Sequence, residues 1–213
     1  MTMKRSPHMR RFLSLIAILC YLTIIPFSAR AIVFTDEAAF QTAAGGVVMK
    51  TFEAYSLLDP VSALTNLHLS FTPLNNGSVP TAYDQSRGGI ARSGTISLAN
   101  NDTLSASGLG EMEIIANTGT SFLAFGYWNA GGDDVPRLTI SDANGNFLES
   151  AVFSTNDPAF IGIIGSVAAT RAVIEAVEGN TWFTIDDLQI NAASVPVQIS
   201  EPAVLCLLQR RRI

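Results

Sequence analysis

Cysteine is almost missing from this chain: Cys20 and Cys206 are the only two in 213 residues, and neither falls between residues 32 and 193. No disulfide can therefore staple that stretch, which must hold itself by a hydrophobic core. Histidine is equally scarce, with only His8 and His68. A Ser-His-Asp triad would have to use His68, which sits in "LHLSF" among alternating apolar residues, the setting of a strand face. No G-x-S-x-G elbow accompanies it. Zinc sites want several Cys and His ligands, and nucleotide sites want a Gly-rich loop between strand and helix; the sequence has neither. "SRGGIARSG" is rich in glycine, but its surroundings read as strands.

Positive charge is the next shortage. Thirteen Lys and Arg stand against 18 Asp and Glu, and five of the bases (Lys4, Arg5, Arg10, Arg11, Arg30) lie in the first 31 residues. Removing those leaves 8 bases against 18 acids, a net charge of −10. Residues 32 to 209 hold 5 bases against the same 18 acids, or −13. So acidic a surface repels phosphate backbones and excludes nucleic acid as a partner; divalent cations and neutral polymers suit it better.

The bases that do exist cluster at the ends. "MKRSPHMRR" supplies a basic region, "FLSLIAILCYLTIIPF" an apolar stretch, and "SARA" places Ala29 and Ala31 at small-residue cleavage positions. This order predicts a secretory signal peptide over residues 1–31, cut after Ala31, and export across the inner membrane. The apolar stretch is shorter than the about 20 residues of a membrane span. Residues 194–213 begin with a polar, proline-marked linker and end in "SEPAVLCLLQRRRI".

Between the ends, only "FTDEAAFQTAAGG" reads as a helix, with Thr35 or Asp36 as cap and Gly45-Gly46 as stop. Ten short apolar or alternating runs follow, separated by Gly, Asn, Asp and Pro clusters. That spacing predicts one all-β domain over residues 32–193, a sandwich or barrel. "RLTISDANGNFLESAVF" is its clearest hairpin, with Asp142, Asn144 and Gly145 in the turn. A calcium loop of EF-hand type is excluded there, because Phe147 and Phe153 stand where Gly and Glu are required.

Candidate chemistry rests on acids and aromatics. In "TWFTIDDLQI", Phe183 and Ile185 are out of phase with Leu188 and Ile190, so one regular strand cannot bury all four on one face. Either both faces are covered, or a bulge at Asp186-Asp187 resets the register. A bulge would gather oxygens suited to calcium, with Glu53 a further ligand if the first and last strands pair. "FGYWNAGGDD" offers Tyr127, Trp128, Asp133 and Asp134 as a glycan-binding patch, or Tyr127 and Trp128 as core residues. Glu111 and Glu113 share one strand face, either as solvated acids or as a glycosidase pair.

The arrangement of these pieces resembles the bacterial PEP-CTERM proteins. Glu201-Pro202 matches the end of that family's "VPEP"-like motif, and Arg210, Arg211 and Arg212 match its basic cluster. Thr35 to Phe40, Phe52-Glu53 and Ile185 to Leu188 echo jelly-roll domains common in the family. The resemblance implies a jelly-roll type antiparallel β-sandwich with one short N-terminal helix, and a surface or matrix protein associated with exopolysaccharide. It implies export machinery and an exosortase as partners, and a location in the periplasm, at the cell surface or outside the cell. The tail departs from the family: "AVLCLL" is about 9 Å of helix against a hydrocarbon core of about 30 Å, so membrane contact would be transient. The expected alternatives are a carbohydrate-binding module and a small glycoside hydrolase.

Overall fold

The computed structural model describes residues 31–87, 91–101, 110–132, 135–153, 158–177 and 182–193. The signal segment through Ala29, the tail with Glu201, Pro202 and Arg210 to Arg212, and Asp133 and Asp134 lie outside the described residues. In chain order the elements begin β1 (Ile32–Phe34), α1 (Glu37–Ala43), β2 (Val48–Lys50), β3 (Ala63–Leu64), β4 (Leu69–Phe71), β5 (Thr81–Tyr83) and β6 (Ser97–Ala99). They continue β7 (Met112–Ala116), β8 (Ser121–Gly132), β9 (Pro136–Ser141), β10 (Phe147–Val152), β11 (Ala159–Ala169), β12 (Arg171–Ala176) and β13 (Phe183–Ala193).

Two sheets face each other. One runs β1-β11-β8-β13-β6-β5, with β2 also paired to β13; the other runs β10-β9-β12-β7-β4-β3. Every paired neighbour is antiparallel. From β6 onward the chain mostly crosses to the opposite sheet at each step, and the result is the expected all-β sandwich of jelly-roll type. The inward faces meet in one core that includes Phe52, Met112, Phe125, Leu138, Ile163 and Phe183. Alternation along each strand sends these side chains inward and their neighbours outward.

The α-helix of the described residues forms where the sequence places it. Asp36 is extended and its Oδ1 accepts the Ala39 N–H at 2.7 Å, while Glu37 lies in the first turn beside the helix's positive end. The helix lies on the outer face of the first sheet and seats Phe40, fully buried, against Ala124 and Phe160. Two paired glycines make that seat: a Cβ on Gly162 would stand 2.5 Å from Phe40, and one on Gly126 2.7 Å from Phe160. Polar contacts complete the docking. The Gln189 amide donates to Glu37 and accepts from Gln41, and the Asn191 amide donates to the Ala44 carbonyl.

All ten sequence-predicted runs contain a strand. One differs in detail, "LHLSFTPL": His68 is exposed and left-handed, φ 54°, at the end of a one-turn 3-10 segment, and β4 begins only after it. Hairpin β9–β10 matches its prediction. Asp142 Oδ1 accepts the N–H groups of Asn144 and Asn146 at 2.9 and 2.8 Å, and Gly145 takes the left-handed conformation, φ 77°.

Candidate functional site

The predicted phase break in β13 is a bulge. Its pairing with β8 shifts register between Asp186 and Gln189, and Asp187 adopts φ 45°, an uncommon value for a residue with a side chain. Phe183, Ile185, Leu188 and Ile190 are all inward and essentially fully buried as a result. The outer face is covered as well, so both sequence-based solutions operate together.

The bulge coincides with a division of labour along the other side of β13. Strand β6 pairs with Thr184 and Ile185, whereas β2 pairs with Leu188, Gln189 and Ile190. Asp186 and Asp187 fall between the two partners. The loop that leads into β6 closes over this gap, and three carboxylates hold it. Asp186 Oδ2 accepts the N–H groups of Arg92 and Ser93 at 2.8 and 2.9 Å. The Ser93 hydroxyl donates to Asp187 Oδ1 at 2.6 Å. Glu53, just beyond β2, accepts the N–H groups of Thr95 and Ile96 through Oε1 at 2.9 and 2.7 Å. At the middle of the clamp, Gly94 (φ 65°) leaves no room for a side chain: its Cβ would lie 2.1 Å from the Glu53 carboxyl carbon.

Electrostatically the clamp is acidic and poorly compensated. Asp186 is fully buried and Asp187 nearly so, and among the described residues neither has a basic side chain within ion-pair distance. Burial, reinforced by the Asp187 charge and opposed by the backbone donors, pushes the Asp186 carboxyl up to about 6. The nearby Arg92 guanidinium lies over the Trp128 ring instead, 4.6 Å from its centre. Register pairs Trp128 with Asp186, and the indole also packs toward Phe160. Ser97 Oγ and Trp128 Nε1 are buried without a hydrogen-bond partner among the described residues.

Glu53, Asp186 and Asp187 thus come together on one loop, as the pairing of β2 with the last strand brings about, but as acceptors for the chain. Backbone N–H groups already face Glu53 and Asp186, and the Ser93 hydroxyl faces Asp187; among the described residues no three acidic, imidazole or thiol groups are arranged to hold a metal ion. The proposed aromatic patch divides between two faces. Tyr127 belongs to the inter-sheet core, fully buried with its ring edge-on to Phe153, and burial pushes its hydroxyl well above the usual value. It has no open face for a sugar ring, because alternation turns it opposite to Trp128. Trp128 is half-buried on the outer face.

Glu111 and Glu113 do share the outward face of the second sheet at β7. Glu111 is exposed, whereas Glu113 pairs with Arg171 on the adjacent β12. Burial works against ionisation of Glu113, but hydrogen bonds from Arg171 and Thr72 and the Arg171 charge together hold it below the usual carboxylate range. A carboxyl held ionised is a poor general acid. Ala31 is described and packs against the core beside β1. The residues that sequence reasoning missed are Arg92, Ser93 and Gly94. Their only signal was the Gly-rich "SRGGIARSG", whose last three residues, Arg92 to Gly94, lie in the clamped loop.

The fold and this site define the class: an antiparallel β-sandwich whose central strand is bulged under an acid-held loop. No protein-family model matches the chain, and no curated protein matches it.

Proposed function

We propose that this is an exported, non-catalytic cell-surface or extracellular-matrix protein, associated with exopolysaccharide and sorted by a PEP-CTERM/exosortase-type system. One observation carries the non-catalytic part of the reading: the acids best placed for chemistry are engaged in holding the fold. Glu113 is paired with Arg171, and Glu53, Asp186 and Asp187 hold residues 92 to 96. The order of basic, apolar and small residues at one end, and of Glu-Pro, apolar and Arg residues at the other, supports export and sorting. The test is to fuse residues 194–213 to a secreted reporter in an exosortase-bearing bacterium and in its exosortase deletion. Processing that disappears in the deletion is expected; identical unprocessed reporter in both strains refutes the sorting assignment.

A second reading, a carbohydrate-binding module, draws on the Arg92–Trp128 pair above the buried acids. Glycan-array binding lost in Trp128→Ala would favour it, and absence of binding by the unaltered protein would dismiss it.

A further inference from the structure

We infer that Asn144–Gly145, at the tip of hairpin β9–β10, is a site of spontaneous deamidation that lengthens the backbone of an edge hairpin. The chain has two Asn-Gly pairs, Asn76–Gly77 and Asn144–Gly145, both exposed and both with the glycine left-handed. Glycine is the residue that lets its own nitrogen reach the preceding side chain, because no Cβ shields it. A Cβ at Gly145 would meet nothing within 4 Å, so the tip is open on that side.

The reaction is an internal acyl transfer. Gly145 nitrogen attacks Asn144 Cγ, the N–Cγ bond forms, and the Cγ–Nδ2 bond breaks. Ammonia leaves, its extra hydrogen coming from the Gly145 N–H. Water then opens the resulting succinimide at either carbonyl. One product is aspartate; the other is isoaspartate, in which the main chain runs through Cβ and Cγ.

The two sites differ in how the carboxamide is held. Asn76 Oδ1 accepts both the N–H and the hydroxyl of Ser78, at 2.9 and 2.6 Å. For Asn144 it is the main-chain N–H that is anchored, on Asp142 Oδ1. Its carboxamide contributes the weakest of the contacts that keep Asp142 ionised. The Asn144 carboxamide is therefore the freer of the two to turn onto the next nitrogen. What must yield is that contact with Asp142 and the bond from the Gly145 N–H to the Asp142 carbonyl at 3.0 Å.

Position gives the change its consequence. The tip is a web centred on Asp142, whose carboxylate accepts the N–H of Asn144 and the N–H and amide of Asn146, whose N–H donates to the Asn146 carbonyl, and whose carbonyl accepts the Gly145 N–H. Strand β10 is an edge strand that, among the described residues, pairs with β9 alone, and its register already shifts between Phe147 and Glu149. An extra main-chain atom at residue 144 breaks the web at the end where that pairing starts.

The test incubates the full chain in mildly alkaline buffer, folded and in urea, and maps both Asn-Gly pairs by peptide mass spectrometry with isoaspartate detection. Folded protein should convert Asn144 at a rate within several-fold of the unfolded chain, with Asn76 lagging behind it. Asn144 unchanged in the fold while the unfolded chain converts would overturn the site. Asn76 reacting as fast would overturn the selection by carboxamide freedom. Asn144→Gln should remove the reaction, and Asn144→Asp adds the charge without the extra atom. The isoaspartyl form should exchange β10 amide hydrogens several-fold faster than Asn144→Asp; equal exchange would overturn the loosening.

Discussion

Asp186 is a buried acid whose neighbours pull in opposite directions. Three main-chain N–H groups, from Arg92, Ser93 and Asp187, favour its charge, while desolvation and the Asp187 carboxylate oppose it and prevail. Because its folded value, about 6, lies above the ordinary 3.8, its stabilising contribution is complete below about pH 4 and is lost as pH rises through 6. Across that window the protein should lose about 3 kcal/mol through this one group. Urea titrations at a series of pH values should show the slope, and Asp186→Asn should flatten it. Gly94→Ala meets both a left-handed φ and the Glu53 carboxylate, so it should cost about 1–3 kcal/mol in the same measurement. A chelator should leave the thermal midpoint unchanged, since main-chain N–H groups engage Glu53 and Asp186 and the Ser93 hydroxyl engages Asp187; a lowered midpoint would restore calcium to this site.

At the scale of elements, α1 depends on a smooth floor. Gly162 has an ordinary backbone conformation, so Gly162→Ala tests space alone: the new methyl meets the Phe40 ring and should lift the helix, at about 1–3 kcal/mol. Removing the ring instead, in Phe40→Ala, should cost about 3–5 kcal/mol, read as a lowered thermal midpoint. This helix was legible in the sequence because its signals are local: Asp36 before it, Gly45 and Gly46 after it. The longer strands were legible for the same reason. Strands β1, β3 and β5 were not, since each is two or three residues without the longer apolar run that surrounds the equally short β2, β4 and β6. The bulge was readable as a broken alternation in β13. Its purpose was not, because nothing local in "ARSGTI" says that its N–H groups will meet Glu53 and Asp186.

For the whole molecule, charge and topology set the terms. Residues 32–193 carry 5 bases against 17 acids, a net of −12, and only two ion pairs occur among the described residues. Self-repulsion should therefore weaken the compact state at low ionic strength. Adding salt to about 0.15 M, where screening reaches about 8 Å, should raise the melting midpoint; a midpoint that falls would contradict this.

Strand β13 is also the last to be synthesised of the strands described. It alone joins β8 on one side to β6 and β2 on the other, and it supplies Phe183, Ile185, Leu188 and Ile190 to the core. A growing chain therefore has no keystone for its first sheet until residue 190 or so is made, and every earlier length must wait open. Closure of that sheet is then a single late event, set by the arrival of β13, rather than a gradual accretion.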